Sequence, residues 1–497
     1  MRNILLINPY SRSISGVNIA TIEPPLGLGY IASLLELNDH HCQIIDANIL
    51  RVSADEIHKH IKFSPDIIGI SSNIVTHRAA LENARVLRSR YREVPIILGG
   101  AYPSSLPELA LEKTYIDAVA MGEAEITMLE LAQRLEKGPD IFSGVEGIAY
   151  KEEGRIIFNK VRPLIKDLDS LPFPAYHLLP DLKRYKSRAR RSPVGAILTS
   201  RGCPYQCTFC NKNIFGAALR SRSVGNIIKE IDWLVNSYGV RQLDILDDNF
   251  NFRLDYAKEL LDSLIKGGYN LAINLQNGLR IDGVDTELLD KMQKAGVFKI
   301  SFGIETAAPS VQKRIKKEID LDKVVFITRE ARKRKIIVYA NFILGLPGDT
   351  QESMQQDIDF AIRMSPDVAN FMIALPLPGT ELYDEVKRNG RFLIPVEEGV
   401  EQGFYGKSVF YELGDLKAED VRKFYKKAYR EFYFRLSQIL TLLFTIGSWG
   451  EVVWLTEAIS DLTKNILVKG KKGSLDAEGK YCNSGQERRV HNWYCPG

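Results

Sequence analysis

Three closely spaced cysteines are the residues in this sequence best suited to chemistry. Cys203, Cys207 and Cys210 stand at the spacing C-x3-C-x2-C, directly after a predicted strand over Gly195–Thr199. Three thiolates on one loop can bind three irons of a [4Fe–4S] cube, and with no fourth cysteine nearby one iron is left without a protein ligand. We therefore expect a cluster whose open iron binds a substrate or a cofactor.

A structural zinc site is the competing interpretation of the same cysteines. Zinc takes four tetrahedral ligands, so the fourth would have to be Cys42, Cys482, Cys495 or a distant histidine. Three of the six cysteines fall within eight residues and the others are scattered, which does not indicate a disulfide framework. The pattern predicts one local metal site in a reducing compartment, and hence a cytoplasmic protein.

The composition sets limits on the class of protein. At about 150 residues per domain, 497 residues predict about three domains. The sequence is 45% hydrophobic and 26% charged, which is ordinary for a globular protein and excludes a disordered chain. A net charge of +4 gives no argument for a nucleic-acid partner. The most apolar stretch, Ile439–Leu455, is shorter than the roughly 20 residues that a spanning helix needs.

Residues 1–140 alternate strand and helix signals, as expected for a flavodoxin-like, doubly wound parallel sheet with α/β architecture. Ligands bind beyond the carboxyl ends of the strands in such sheets. Small residues at those ends would let a large ligand approach the backbone, although simple βα turns are an alternative interpretation. The candidate ligand-binding residues at these ends are Pro9, Ser71, Ser72, Asn73, His77, Gly99, Gly100, Tyr102, Pro103, Gly122 and Glu123.

The rest of the chain divides into four further segments. Residues 141–194 are predicted to form a linker that contains a hairpin, and residues 195–395 hold six β-α units, which predict a partial (β/α)6 barrel. Residues 396–469 form a helical C-terminal region whose apolar, aromatic face is expected to pack in the core, with peripheral membrane contact as the minority interpretation. Residues 470–497 are expected to be a disordered tail.

The cysteine spacing, with Phe209 before the last cysteine, resembles the radical S-adenosylmethionine (SAM) family. Further motifs occur in order where the second to sixth barrel strands of that family end. These motifs are Leu246-Asp247-Asp248-Asn249-Phe250, Asn277-Gly278-Leu279-Arg280, Ser301-Phe302-Gly303-Ile304-Glu305, Phe342–Asp349 and Pro376–Tyr383. Together with the N-terminal sheet, the ordered set resembles the subgroup with an N-terminal cobalamin-binding domain, over residues 1 to about 435.

This resemblance implies three cofactors. A [4Fe–4S] cluster on the three cysteines would cleave SAM reductively to a 5′-deoxyadenosyl radical, and cobalamin would bind at the strand ends of the N-terminal sheet. The loop after the first strand, Asn8–Gly16, contains no histidine, so it is expected to give cobalamin no histidine ligand. The SAM-binding residues that the resemblance implies are Phe209, Asp247, Asp248, Arg280, Ser301, Gly303, Glu305, Gly345, Pro347, Pro378 and Gly379.

C-methylation of an unactivated carbon through methylcobalamin is the leading expected reaction. A radical cyclase or rearrangement enzyme of the anaerobic tetrapyrrole-ring type, without net methylation, is the alternative. A non-catalytic cobalamin or redox sensor is the alternative from another class. Methylthiotransferases of this family carry a second three-cysteine cluster in the N-terminal domain, which here has only Cys42. The expected partners are a small-molecule or lipid-like substrate and an electron donor such as flavodoxin or ferredoxin.

Overall fold

The N-terminal part of the chain is built around a parallel sheet. The computed structural model describes residues 1–10, 23–135, 140–185, 189–396 and 408–445. The parallel strands are Asn3–Asn8 (β1), His41–Asp46 (β2), Ile67–Ser71 (β3), Ile96–Gly99 (β4) and Ala118–Ala120 (β5). Their spatial order, β2-β1-β3-β4-β5, is the flavodoxin-like order, so the predicted fold class is confirmed for this part.

Helices cover both faces of this sheet, which explains why its strands are short, almost wholly buried apolar runs. Two separate apolar clusters, one on each face, hold the helices against the strands. The helices are Leu26–Leu37 (α1), Ala47–Leu50 (α2), His77–Arg90 (α3), Ala101–Ser105 (α4), Pro107–Leu111 (α5) and Glu125–Arg134 (α6).

A hairpin of strands Ile148–Glu152 (β6) and Arg155–Phe158 (β7) extends the same sheet to seven strands. Strand β6 pairs antiparallel with β5, with Val119 opposite Ala149. The sequence predicts this hairpin within the linker over residues 141–194, whereas its pairing makes it part of the first sheet. The hairpin occupies the backbone groups that the β5 edge would otherwise expose.

The second sheet is a six-stranded, fully parallel open barrel, as predicted. Its order is β8-β11-β12-β13-β14-β15, and its first and last strands do not pair with each other. A short antiparallel pair, β9 and β10, follows β8. The strands are Val194–Ile197 (β8), Ser200–Arg201 (β9), Arg220–Ser221 (β10), Gln242–Ile245 (β11), Ala272–Leu279 (β12), Val297–Glu305 (β13), Ile337–Leu344 (β14) and Val368–Ile373 (β15).

The barrel helices begin and end where the sequence supplies caps. The Ser223 side chain accepts a hydrogen bond from the Asn226 amide at the start of one helix, and Gly239 ends that helix in the left-handed conformation. The helices are Val224–Tyr238 (α7), Leu254–Gly267 (α8), Thr286–Ala295 (α9), Pro309–Arg314 (α10), Leu321–Lys333 (α11), Gln351–Met364 (α12) and Glu381–Asn389 (α13).

The C-terminal region packs on the barrel. It contains the strands Gly390–Phe392 (β16) and Tyr411–Leu413 (β17), followed by the helices Ala418–Tyr433 (α14) and Leu436–Thr445 (α15). The apolar face of α14 is buried in the barrel core, and Tyr433 donates a hydrogen bond to the Ala369 carbonyl of β15. No helix in the described ranges is long and apolar enough to cross a bilayer. The predicted tail, 470–497, lies outside the described residues.

The segment between the hairpin and the barrel is packed against both. The Ala175 amide donates to the Gly29 carbonyl of α1 at 3.0 Å. A Cβ at Gly29 would lie 2.9 Å from the Pro174 Cβ, so this contact requires a glycine. The fully buried Tyr176 donates its hydroxyl to the Ala196 carbonyl of β8. Residues 174–176 therefore join the first sheet to the first barrel strand.

Candidate functional site

The three cysteines lie on the loop between β9 and β10, and backbone contacts fix this loop. The Cys203 amide donates to the Gly216 carbonyl at 3.3 Å. The Thr208 amide donates to the Ile315 carbonyl at 3.2 Å, and the Leu382 amide donates to the Thr208 carbonyl at 2.9 Å. The loop is thereby held between segments that follow β13 and β15, at the carboxyl end of the barrel.

The donor set fits an iron–sulfur cluster. Cys203 and Cys207 are half-buried and Cys210 is exposed, and all three are free thiols. Burial raises the pKa of the Cys207 thiol. Within the described ranges, no three His, Cys, Asp or Glu side chains converge as the ligands of one ion would. Three accessible thiols on one fixed loop provide the soft ligands that iron–sulfur clusters require.

Asp247 and Asp248, adjacent in sequence, have different surroundings. Asp247 is fully buried, and it accepts hydrogen bonds from the Thr199 amide at 2.7 Å and from the Ser200 hydroxyl at 2.7 Å. Its carboxylate is therefore committed to the end of β8, in contrast to the SAM contact expected from the sequence. Asp248 is exposed, accepts one bond from the Gly202 amide at 3.2 Å, and retains free acceptor positions beside the cysteine loop.

Glu305 and Lys317 form an ion pair at the end of β13. The Lys317 Nζ lies 2.6 Å from the Glu305 Oε1, and both side chains are largely buried. A Cβ at Gly303 would lie 2.3 Å from that oxygen and 2.6 Å from the Nζ, so a larger residue there would displace this ion pair. Glu305 has a φ of 65°, a strained conformation of the kind that clusters at functional sites.

Lys317 is a site residue that we missed from the sequence. It pairs with Glu305, and its positive charge acts to lower the pKa of the Cys207 thiol. Lys313, Arg314, Lys316 and Lys317 occur in one run of five residues, so the sequence signals a cationic segment but does not identify the member that pairs with Glu305.

Arg280 lies beside the cysteine loop. Its guanidinium stands 4.0 Å from the centre of the Tyr205 ring, between the first two cysteines, and it donates to the Glu318 carbonyl at 2.8 Å. Arg280 is therefore near the cluster loop, as expected. Ser301 is half-buried and accepts a hydrogen bond from the Asn341 side chain at 2.9 Å.

Two turns form the remaining wall of the barrel end. The amide of Gly345, where φ is 83°, donates to the Asp349 carboxylate at 2.8 Å, and this fixes the turn through the buried Pro347. The Pro378 carbonyl accepts a hydrogen bond from the Asn211 side chain at 2.8 Å. Phe209 packs in the apolar cluster beneath these turns, and Gly379 lies on the exposed side of its own turn.

The strand ends of the first sheet form a surface of small, uncharged residues. The carboxyl ends of β3, β4 and β5 bear Ser71, Ser72, Gly99, Gly100 and Gly122, and Asn73 is exposed beside them. At Gly100 φ is 108°, and a Cβ there would lie 2.3 Å from the Ser72 carbonyl oxygen, so the approach of the two strand ends requires glycine.

The predicted cobalamin-binding residues with larger side chains are buried or bound to other residues of the protein. The buried His77 has its Nδ1 3.1 Å from the Ser72 hydroxyl, and its ring packs 4.3 Å from that of Tyr102. Pro9 and Pro103 are buried. Glu123, a predicted cobalamin contact, instead accepts hydrogen bonds from Arg201 and Arg220 of the barrel. Residues 11–22 of the first loop lie outside the described residues.

The two strand-end edges face each other. The Asn211 side chain, one residue after the last cysteine, donates to the Ser105 hydroxyl of α4 at 2.7 Å. A Cβ at Gly122 would lie 3.7 Å from the Asn213 carbonyl oxygen. Ile74, beyond β3, packs in the same apolar cluster as Phe209. The structure thus brings the predicted cluster loop and the predicted cobalamin edge to one place.

Comparison with known proteins identifies both parts. The model of the Radical SAM superfamily matches residues 197–361, and that of the B12 binding domain matches residues 12–132. An uncharacterized methyltransferase of Pyrococcus horikoshii is 32% identical over 89% of this chain and 95% of its own. Cytidylyl-2-hydroxyethylphosphonate methyltransferase of Streptomyces wedmorensis is 31% identical over 88% of this chain and 91% of its own.

A solved structure shares the whole architecture. The radical SAM methyltransferase TsrM of Kitasatospora setae, with cobalamin and a [4Fe–4S] cluster bound, matches at a TM-score of 0.70 and 17% identity, over 93% of this chain and 99% of that chain. The cofactors predicted from the sequence, namely the cluster, SAM and cobalamin, are confirmed as those of the family, and the zinc interpretation is wrong. The chain belongs to the radical SAM superfamily, among the members that carry an N-terminal B12-binding domain.

Proposed function

We propose that this protein is a cobalamin-dependent radical SAM methyltransferase that adds a methyl group to an unactivated carbon of a small organic molecule. One observation carries the proposal: the cysteine loop and the strand ends of the first sheet face each other, joined at Asn211 and Ser105. The methyltransferase relatives, which align over most of both chains, support it.

The residues at the barrel end provide a site for a zwitterionic ligand. Cys203, Cys207 and Cys210 would hold the cluster. Lys317 presents an ammonium group suited to the carboxylate of SAM, and Asp248 presents a carboxylate suited to its ammonium group. When bound, the cluster supplies the electron for SAM cleavage and cobalamin supplies a transferable methyl group.

Two turns and an aromatic ring form the remaining walls of the barrel end. The turns at Gly345 and Pro378 close one side of the barrel end, and the Tyr205 ring with Arg280 closes another. On the first sheet, Gly99 and Gly122 would let a macrocycle approach the backbone. His77 is engaged by Ser72 and Tyr102, so we do not assign it a bond to cobalt.

Anaerobic reconstitution tests the proposal. The protein, loaded with iron and sulfide, is mixed with SAM, hydroxocobalamin and titanium(III) citrate, and 5′-deoxyadenosine and methylcobalamin are measured. We expect both products. Cytidylyl-2-hydroxyethylphosphonate is the first substrate to test, because a relative that is 31% identical is named for it. A mass gain of one methyl group supports methylation.

Other outcomes would contradict the proposal in different ways. Ring closure without a mass gain of one methyl group would favour a cyclase, and absence of 5′-deoxyadenosine would favour a non-catalytic sensor. A low-potential donor such as flavodoxin or ferredoxin and a reducing, cytoplasmic setting are part of the proposal, since the cluster must be reduced before SAM is cleaved.

A further inference from the structure

Four buried charged side chains cross the boundary between the first sheet and the barrel. Arg201 contacts Glu123 through Nη1 at 2.8 Å and Glu125 through Nη2 at 2.8 Å. Arg220 contacts Glu123 through Nη1 at 2.8 Å. The four side chains are between 3% and 9% exposed. We call Glu123, Glu125, Arg201 and Arg220 the ionic quartet.

The ionic quartet connects the two functional edges directly. Glu123 follows β5 by three residues and comes directly after Gly122, and Arg201 on β9 precedes Cys203 by two residues. Arg220, on β10, closes the other end of the cysteine loop. A displacement of either arginine would therefore move an end of the loop that carries the three cysteines.

Further contacts hold the quartet in one geometry. The Ile165 amide donates to Glu123 at 2.8 Å, and Arg220 donates to the Ile165 carbonyl at 2.7 Å. The segment between the hairpin and the barrel is therefore bound to the quartet through Ile165. The Arg201 guanidinium lies between the rings of Tyr30 and Phe215, at 4.9 and 5.1 Å from their centres. Each carboxylate therefore meets charged donors in a fixed direction.

Stability alone does not explain such a cluster. Removing two carboxylates and two guanidinium groups from water costs several kcal/mol per ion, and apolar residues of the same volume often stabilise a fold equally well. A buried ionic group does, however, favour one relative placement of its partners, because a displaced charge is left without a counter-ion.

We infer that the ionic quartet positions the cysteine loop relative to the cobalamin-binding edge, and thereby sets the distance between the two cofactors. This inference rests on the proposed function. Glu123 and Arg201 are then positioning residues, since their side chains are buried against each other and act through the loop and the strand end that they join.

The test variant is Glu123→Gln, which keeps the shape of the side chain and removes its charge. Its matched control is Asp367→Asn, because Asp367 is a buried carboxylate that pairs with Arg332 and accepts from the Val338 amide, both within the barrel. Both variants and the wild-type protein are reconstituted with iron, sulfide, SAM, hydroxocobalamin and titanium(III) citrate. Methylcobalamin formation, which needs both edges, is compared with abortive release of 5′-deoxyadenosine, which needs only the barrel.

We expect the ratio of methylcobalamin to 5′-deoxyadenosine to fall on the order of a hundredfold in Glu123→Gln, the cost of a displacement of about 1 Å in an oriented reaction. The ratio should stay at the wild-type value in Asp367→Asn. A second variant, Arg201→Lys, keeps the charge but cannot reach both carboxylates, and it should give an intermediate ratio.

Hydrogen exchange of the cofactor-free proteins gives a readout independent of activity. In Glu123→Gln, exchange should accelerate on both sides of the boundary, in residues 118–125 and 199–222, whereas Asp367→Asn should affect only the barrel side. An unchanged product ratio, or equal effects of the two variants, would overturn the positioning inference. A wild-type protein that forms neither product would instead contradict the proposed function.

Discussion

The two strand-end edges of this protein have the same topological position and opposite chemistry. The barrel edge bears charged side chains with fixed partners, such as Glu305 with Lys317 and Asp248 with Gly202. The edge of the first sheet bears small, uncharged residues, among them Gly99 and Gly122. The barrel edge is therefore suited to bind a small zwitterion through side-chain charge. The edge of the first sheet is suited to bind a large ligand that approaches its backbone closely.

The largest effect should come from the thiols of the barrel edge. Cys207→Ala removes one of three cluster ligands, so iron and sulfide content should fall and 5′-deoxyadenosine should become undetectable. Cys42→Ala is the matched control, because Cys42 is a buried thiol on β2 in the first sheet. Full SAM cleavage by Cys207→Ala would show that the cluster is held elsewhere.

At the edge of the first sheet, a methyl group added at Gly100 should lower the free energy of unfolding more than one added at an open glycine. Gly100→Ala combines a φ of 108° with a Cβ 2.3 Å from the Ser72 carbonyl oxygen, so we expect a loss of about 4 kcal/mol in urea unfolding. Gly154→Ala, with a φ of 79° and nothing within 4 Å of its Cβ, should cost only about 1–2 kcal/mol. Equal costs would contradict the close packing described for this edge.

The buried Asp349, which accepts a hydrogen bond from the Gly345 amide, should make the free energy of unfolding depend on pH. Burial raises the pKa of Asp349 from 3.8 to about 6. Between these values the folded state binds more protons than the unfolded state, so this contribution to stability is present below pH 3.8 and is lost as the pH rises through about 6.

Asp349→Asn removes that titration. From pH 4 to pH 7 the free energy of unfolding of the variant, relative to wild type, should rise by about 3 kcal/mol, the equivalent of about two pKa units. Urea unfolding at the two pH values measures the change, with the exposed Asp359→Asn as a surface control. A constant difference would mean that folding does not shift the pKa of Asp349.

The smallest effect concerns the charge of the barrel edge. Lys317→Met removes one charge-assisted contact of about 2 kcal/mol, so the dissociation constant for SAM should rise roughly thirtyfold. The neighbouring Lys316→Met is the matched control, since Lys316 is exposed and pairs with Glu381. Equilibrium binding of SAM to the reconstituted protein provides the comparison, and equal effects of the two lysines would contradict a site at Lys317.

Local patterns predicted much of this molecule because they depend on neighbours in sequence. The cysteine spacing and the ordered strand-end motifs depend only on residues close in the chain, and they led to both sheets and to the cluster loop. The sequence did not predict which of the two adjacent carboxylates, Asp247 or Asp248, is buried against the end of β8, because the two differ only in the side of the strand end that each faces. The sequence position of Lys317, twelve residues after Glu305, carries no signal of their contact.

Long-range pairing accounts for the remaining differences. Glu123 and Arg201 are 78 residues apart, and their ion pair depends on how two separately formed sheets meet. The hairpin of β6 and β7 follows the first sheet in sequence, and only the unpaired edge of β5 determines that it pairs there. These features follow from tertiary packing, which local propensity does not encode.

The segment at residues 174–176 has a consequence for unfolding. Ala175 binds α1 of the first sheet, and its neighbour Tyr176 is buried against β8 of the barrel. Neither sheet can lose its structure without exposing part of the contact surface of the other. The two sheets should therefore behave as one cooperative unit, and calorimetry of the intact chain should record a single heat-absorption peak rather than two separate domain transitions.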